Sequence, residues 1–305
     1  MGESPHVLIV GGGIGGMAAA LALLRQGFDV DVYEQAAELR EVGAGIQISP
    51  NGNRALDYLG VFEPLQALSS YADDKVVRLW NSGRTWTAFD LGPEAVERYG
   101  FPYLTAYRPD LLQVLVDAVR KIKPDAVHLG ARVVDIERKG ERVLLRLESG
   151  QSAAGDIVIG ADGVHSRVRQ MTAGDQPAHF TGLLAWRATI PMDRLPAHLH
   201  KPRATVWLGP HGHAVHYPLR KGEILNFVGT VERTDWQVES WSVEGDKDEC
   251  LQDFAGWHED IQTLIKAAPS QFKWALLSRA ALDKWCYGRV ALLGDACHPT
   301  LPLLA

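Results

Sequence analysis

The stretch "VLIVGGGIGGMAAALALL", Val7 to Leu24, decides the fold. It carries no charge and is long enough on paper to span a bilayer. Its glycines, however, fall at the junction of a short β-rich run, His6 to Val10, and an alanine/leucine run, Gly15 to Gln26, closed by Gly27. That pattern reads as strand, turn and helix, and no basic leader of a signal peptide precedes it. Between strand and helix lies Gly11-x-Gly13-x-x-Gly16, with Ile14 inside the turn. Gly11 permits the tight turn, Gly13 lets the backbone approach a pyrophosphate, and Gly16 lets helix and strand pack closely. The helix N-terminus then offers unpaired N–H groups and a positive dipole to phosphate.

The next strand, "DVDVYE", ends in Glu34, placed to accept hydrogen bonds from a ribose 2′-OH. The same carboxylate disfavours a 2′-phosphorylated ribose, because two negative charges would meet. The spacing does not choose between NAD and FAD.

Working outward, the 305 residues are 46% apolar and 22% charged, the composition of a soluble globular chain. Disorder, collagen-like repeats and coiled coils are excluded. A net charge of −6 with no block of lysines or arginines gives no electrostatic case for nucleic acid or an anionic membrane. Three widely spaced cysteines, Cys250, Cys286 and Cys297, make no Cys-x-x-Cys pair. They argue against a disulfide framework or a zinc site and fit a reducing cytoplasm.

Further along, Gly43-Ala44-Gly45 lets backbone pass close to a neighbour, and Ile46 to Ile48 reads as a strand. Arg108 precedes a helix whose apolar stripe is Leu111, Leu112, Leu115, Val116 and Val119. Its guanidinium either reaches a phosphate or is a solvated charge at a helix start. Two apolar strands, Asp156–Gly160 and Arg289–Leu293, run into Asp162-Gly163 and Gly294-Asp295, as ligand-facing loops do at the carboxyl ends of strands. From Gly174 the texture turns to strand alternation with glycine turns, an antiparallel sheet by its spacing. Residues 1–173 with 275–305 are therefore expected to form a discontinuous nucleotide domain, and 174–274 a β-rich substrate domain inserted into it.

Seven motifs in order resemble those of the single-component flavin-dependent aromatic hydroxylases, the p-hydroxybenzoate hydroxylase group. They are "GGGIGG" with Glu34, "VGAGIQISPN", "YRPDL", "DIVIGADGVHSRVR", "AWRA", "HAVHYPL" and "RVALLGDACHPTLP", spanning Val7 to Pro302. The similarity is nearest to the salicylate hydroxylase, 3-hydroxybenzoate 6-hydroxylase and 6-hydroxynicotinate 3-monooxygenase branch. It implies an α/β fold, a Rossmann-like FAD-binding domain of the GR2 type with an inserted antiparallel β-sheet substrate domain. It also implies FAD as the cofactor. Gly11, Gly13, Ile14, Gly16 and Glu34 would hold the ADP half, with Arg108 near the pyrophosphate. Gln47, Asp162, Asp295 and Pro299 are the further cofactor contacts, Asp295 beside the ribityl chain and His298-Pro299 near the flavin ring.

The implied reaction is a redox cycle in which NADH or NADPH reduces the flavin, O₂ adds at C4a, and the hydroperoxide hydroxylates a small aromatic acid. A ring hydroxyl becomes a better nucleophile once deprotonated, which calls for a base near neutral pH. On the strand "HGHAVHYPL", His213 and Tyr217 share one face and His216 the other. His213 is the first choice of base and His216 the second, with Tyr217 beside it. Arg187 either binds a substrate carboxylate or forms a structural ion pair. Trp207, Trp186 and Tyr217 either wall an aromatic pocket or fill a core, and Pro302 sits where relatives contact substrate. An NAD-dependent dehydrogenase and a flavoprotein without turnover are the competing readings. The sequence gives no signal that separates a monomer from a homodimer. Relatives continue past "GDACHPTLPLLA" into a helix beside the flavin ring, so a C-terminally truncated chain with weakened FAD binding is expected. A flavin absorption spectrum in the purified protein separates the hydroxylase from the dehydrogenase, which would show none.

Overall fold

The computed structural model describes residues 4–39, 44–174, 177–233, 235 and 243–301. They fall into two compact units, Met1–Glu41 with Leu111–His179 and Ser278–Leu304, and Val42–Asp110 with Phe180–Leu277.

The first unit is built on a six-stranded sheet. Its central strand, His6–Val10, pairs in parallel with Asp29–Tyr33 on one side and Ile157–Gly160 on the other. Val127–His128 and Val290–Leu292 extend it in parallel, and Cys286–Tyr287 closes one edge antiparallel. Leu8 and Ile9 are fully buried, which is why this strand reads as an unbroken apolar run rather than an alternation. The helix Ile14–Arg25 follows it directly, turning Met17, Ala20 and Leu21 inward. Because the main strands are parallel, the loops after Val10, Tyr33, Gly160 and Leu292 all leave from the same end. A three-stranded antiparallel sheet, Val133–Lys139, Arg142–Leu147 and Ser152–Gly155, adds Val143 and Leu145 to this unit's core.

The second unit is built on an eight-stranded sheet. Its middle runs Gln271–Ser278, His179–Pro191, Ile224–Glu232, Gly212–Leu219, Arg203–Gly209 and Asp74–Leu79 in spatial order. Register fixes its two faces. Trp186 lies opposite Gly229, Gly229 opposite Ala214, and Ala214 opposite Trp207, so these four share a face. Helices Lys247–Asp253 and Glu259–Ala267 cover that face, their starts capped by the side chains of Asp246 and His258. Trp186, Trp207, Phe227, Phe254 and Ile261 fill the space between. Gly229 has no side chain for a reason: a Cβ there would lie 2.4 Å from the Phe254 ring.

Residues Val42–Asp110 group with this second unit, whereas the sequence pattern placed them with the nucleotide domain. The cause is strand pairing. Asp74–Leu79 pairs in parallel with Arg203–Gly209, and the Gly45 N–H donates to Asn226 Oδ1 at 2.8 Å. Among the described residues no helix is long and apolar enough to cross a membrane, and Val7–Leu24 resolves into strand and helix.

Phe254 is fully buried and meets Trp257 edge-on at 5.0 Å between ring centroids. Phe254→Ala should cost about 3–5 kcal/mol of unfolding free energy, the range for emptying an aromatic core site. Urea unfolding measures it, and a loss under about 1 kcal/mol would contradict the assigned packing.

Candidate active site and cofactor cradle

The cradle in the first unit is made by backbone groups that side chains would obstruct. Gly11 adopts a φ of +107°, and a Cβ on it would stand 2.4 Å from the Ala161 carbonyl oxygen. A Cβ on Gly16 would stand 2.0 Å from the Gly11 carbonyl oxygen. Gly13 differs, because nothing lies within 4 Å of the place its Cβ would take. It caps the helix with extended backbone and no side-chain hydrogen bond, and Ile14 opens the helix proper. The first N–H groups of the helix therefore have no intrahelical partner and face outward.

Glu34 ends the second strand, where Tyr33 accepts a hydrogen bond from the Gly11 N–H at 2.9 Å. Its two carboxylate oxygens accept from the backbone N–H groups of Gly12 at 2.7 Å and Ala36 at 2.8 Å. The carboxylate is thus fixed by the loop it serves, with lone pairs remaining for hydroxyl donors. A cavity of about 560 Å³ opens here, lined among others by Gly11, Gly13, Glu34, Arg132, Asp162 and Arg167. Open space before Gly13, unpaired N–H groups and a fixed carboxylate suit the pyrophosphate and ribose of FAD. The residues present fit the cofactor.

Asp162 plays a more local part than the resemblance implied. Its Oδ2 accepts from the N–H groups of Arg167 at 2.7 Å and Val168 at 3.0 Å, and its Oδ1 accepts from the Ser166 hydroxyl. It folds the loop and lines the cavity by position. Asp295 and Pro299 follow the strand Val290–Leu292, which lies beside Ile157–Gly160, so their loop adjoins that of Asp162. The two loops are joined by Arg169, which the sequence reading missed. Arg169 is 3% exposed, and its guanidinium donates to the carbonyls of Val164 at 2.8 Å and Ala296 at 3.1 Å. Only its place inside "HSRVR" hinted at it. Arg132 was missed as well, since it follows the short strand Val127–His128 without any motif.

The remaining candidates lie in the second unit. The N–H of Arg108 donates to the Ala44 carbonyl at 2.9 Å, and the helix begins at Arg108 itself. Gln47 accepts from the Tyr103 hydroxyl at 2.9 Å. Alternation along Gly212–Leu219 holds as expected. His213 pairs with Thr230 and Tyr217 with Asn226 on one sheet face, while His216 pairs with Phe227 on the helix-covered face. His213 is half-buried, and burial lowers its pKa. Tyr217 is buried, and burial pushes its hydroxyl well above the ordinary value. Burial, with the Arg78 guanidinium adding to it and Asp260 opposing it, brings the His216 pKa down to about 4.

Arg187 shares the His213 face through its pairing with Val228, but it is 2% exposed and lies 5.1 Å from the Trp274 ring. Trp207 requires a correction. It is fully buried on the helix-covered face, under the Arg78 guanidinium at 3.9 Å, so with Trp186 it is core and walls no pocket beside His213. Pro302 lies outside the described residues.

Residues 4–305 match the family model of the FAD binding domain, and the chain belongs to that family. It is an FAD-dependent monooxygenase of the aromatic-hydroxylating class. Among curated relatives it is 37% identical over 301 residues to the 3-amino-4-hydroxybenzoate 2-monooxygenase PtnB3 of Streptomyces platensis, covering 99% of this chain and 75% of that one. It is 39% identical over 300 residues to the 3-hydroxybenzoate 6-hydroxylase of Polaromonas naphthalenivorans, covering 98% and 74%. Among solved structures, Klebsiella pneumoniae HpxO complexed with FAD and uric acid superposes with a TM-score of 0.85 at 27% identity, covering 98% and 74%. These findings favour the hydroxylase over the dehydrogenase reading.

Arg169→Met should leave two loop carbonyls unpaired and let the loops separate. FAD should then dissociate about tenfold or more readily, the consequence of losing ~1.5–3 kcal/mol of charged hydrogen bonding. Flavin fluorescence titration measures it, and an unchanged dissociation constant would show that Arg169 does not position the cradle.

Proposed function

We propose that the chain hydroxylates a small aromatic acid bearing a ring hydroxyl, of the hydroxybenzoate, salicylate or hydroxynicotinate type, using NADH or NADPH and O₂. The support is twofold: family membership, and a half-buried histidine held neutral on the sheet face opposite the two helices. Both curated relatives above are named for hydroxybenzoate-type substrates. Bound FAD supplies the two-electron redox chemistry and the activation of oxygen.

The chain's own residues do the rest. The backbone around Gly11 and Gly13 and the start of helix Ile14–Arg25 hold the pyrophosphate, and Glu34 takes a ribose hydroxyl. Asp295 and Pro299 shape the loop toward the ribityl and ring portion. His213 is the proposed base. Burial keeps its imidazole neutral at pH 7, so Nδ1 or Nε2 has a free lone pair to take the proton of a substrate ring hydroxyl. The electron pair left on oxygen raises the density of the ring positions beside it. Tyr217 stays protonated at that pH and serves as a donor or packing group rather than a base. His216 faces away from His213 and takes no part in the proton transfer. A reducing cytoplasm suits the chain, whose three cysteines are free thiols.

The pH dependence follows from the direction of the His213 shift. A lowered histidine pKa leaves the base form intact at neutral pH, and activity is lost only as pH falls through that lowered value. The acidic limb of kcat/KM against pH should therefore have its midpoint below about 6.5, the ordinary histidine value. A midpoint above 7 would contradict the assignment. His213→Ala should slow hydroxylation about 10²–10⁴-fold, the usual contribution of a general base, while FAD remains bound. Product mass after incubation with a panel of hydroxybenzoates and hydroxypyridines reads both rate and substrate. Unchanged turnover in the variant would remove His213 from the mechanism.

A further inference from the structure

The helix-covered face of the eight-stranded sheet contains a second polar cavity, of about 170 Å³, that no step above uses. Its lining includes Arg78, His198, Lys201, Arg203, His216 and Asp260. Three cations thus face one carboxylate. Arg78 Nη1 donates to Asp260 Oδ2 at 2.6 Å, and His198 Nε2 donates to Asp260 Oδ1 at 2.7 Å. Burial opposes ionisation of Asp260, but those two hydrogen bonds together with the charges of Arg78 and His258 outweigh it and hold its pKa below the ordinary value. Arg203 pairs with Asp74 at 2.8 Å. Among the described residues no carboxylate pairs with Lys201, which is exposed at the cavity.

His216 is the decisive observation. It is 5% exposed, lines this cavity, and its Nε2 has no hydrogen-bond partner among the described residues. A buried polar atom left so calls for a partner that the protein itself does not supply, an ordered water or a ligand. A neutral imidazole with its proton on Nε2 would be a donor in the wall of a cavity with excess positive charge. An oxyanion satisfies that donor and the unpaired ammonium at once. A metal ion does not suit the site, because among the described residues no three histidine, cysteine or carboxylate groups cluster closely enough to hold one. The volume of about 170 Å³ matches a handful of waters at ~30 Å³ each. It admits a tetrahedral oxyanion.

We propose that this cavity is a binding site for a phosphate-type oxyanion, held by His216 Nε2, the Lys201 ammonium and the Arg203 guanidinium. His216 and His213 are three residues apart on one strand and face opposite ways. An anion at the first would brace the strand that carries the second.

The test uses FAD-saturated protein, so that the cofactor cradle is filled, with ionic strength held constant by chloride. Calorimetric titration with inorganic phosphate should show one saturable site per chain. Lys201→Gln, a change at an exposed position, should weaken it about tenfold, the loss expected for one charge-assisted hydrogen bond of ~1.4 kcal/mol. The ring nitrogen resonance of His216 should shift along the same titration. Ribose 5-phosphate separates the two sources of the group. Equal binding of both ligands means a phosphomonoester is accepted, and binding of inorganic phosphate alone means the free ion is the occupant; either upholds the site. No saturable binding of either ligand, undiminished affinity in Lys201→Gln, or a His216 resonance unmoved by phosphate would each overturn it.

Discussion

Three backbone segments meet in the first unit with no room for a methyl group between them. The Gly11 α-carbon faces the carbonyl of Ala161, and that of Gly16 faces the carbonyl of Gly11, each at a distance a Cβ would close to 2.4 Å or less. This contact lets the helix start directly at the end of the central strand. It also lets the loop after the neighbouring strand Ile157–Gly160 lie against the glycine turn. The cradle follows from it: the cavity opens where the backbone is thinnest, and Glu34 reaches back across the turn to hold the Gly12 N–H. Any larger residue at Gly11 or Gly16 would push helix and strand apart before a ligand arrived.

Much of this was readable in the sequence because it is local. A strand, a G-x-G-x-x-G turn and a helix lie within some twenty residues, and Glu34 follows at the spacing a second strand requires. The opposition of His213 and His216 was readable for the same reason, since a regular strand has period two. What escaped depends on partners far along the chain. Residues Val42–Asp110 belong by contact with the second unit because Asp74–Leu79 pairs with a strand about 130 positions on, which leaves no local trace. Trp207 lies on the wrong face for a pocket beside His213, and only the register against Ala214 reveals it. Arg169 looked like one more charge in a basic turn, and its role appears only when the carbonyls of Val164 and Ala296 are brought to it. Asp162 shows the converse. Its motif was recognised, but the capping of Arg167 and Val168 that explains an aspartate there needs the folded loop.

The eight-stranded sheet divides its chemistry between its faces. One face is covered by two helices over Trp186, Trp207 and Phe254, and the histidine on that side is buried and held neutral. The other face keeps His213 half-buried, with Tyr217 and Asn226 farther along the strand pair. Desolvation lowers the pKa of both histidines, and the half-buried one is the proposed base. The same physical effect thus yields a base on one side and a buried donor on the other.

A flavin-dependent monooxygenase holding FAD in the cradle around Gly11, Gly13 and Glu34 must put an atom of O₂ into its product. The most direct measurement is oxygen-isotope tracing in FAD-loaded protein supplied with NADH, ¹⁸O₂ and the hydroxybenzoate that most stimulates NADH oxidation. The new ring hydroxyl should carry ¹⁸O, with NADH consumed in proportion to product. Product oxygen drawn from water, or NADH oxidation that yields only labelled hydrogen peroxide with every substrate offered, would contradict it.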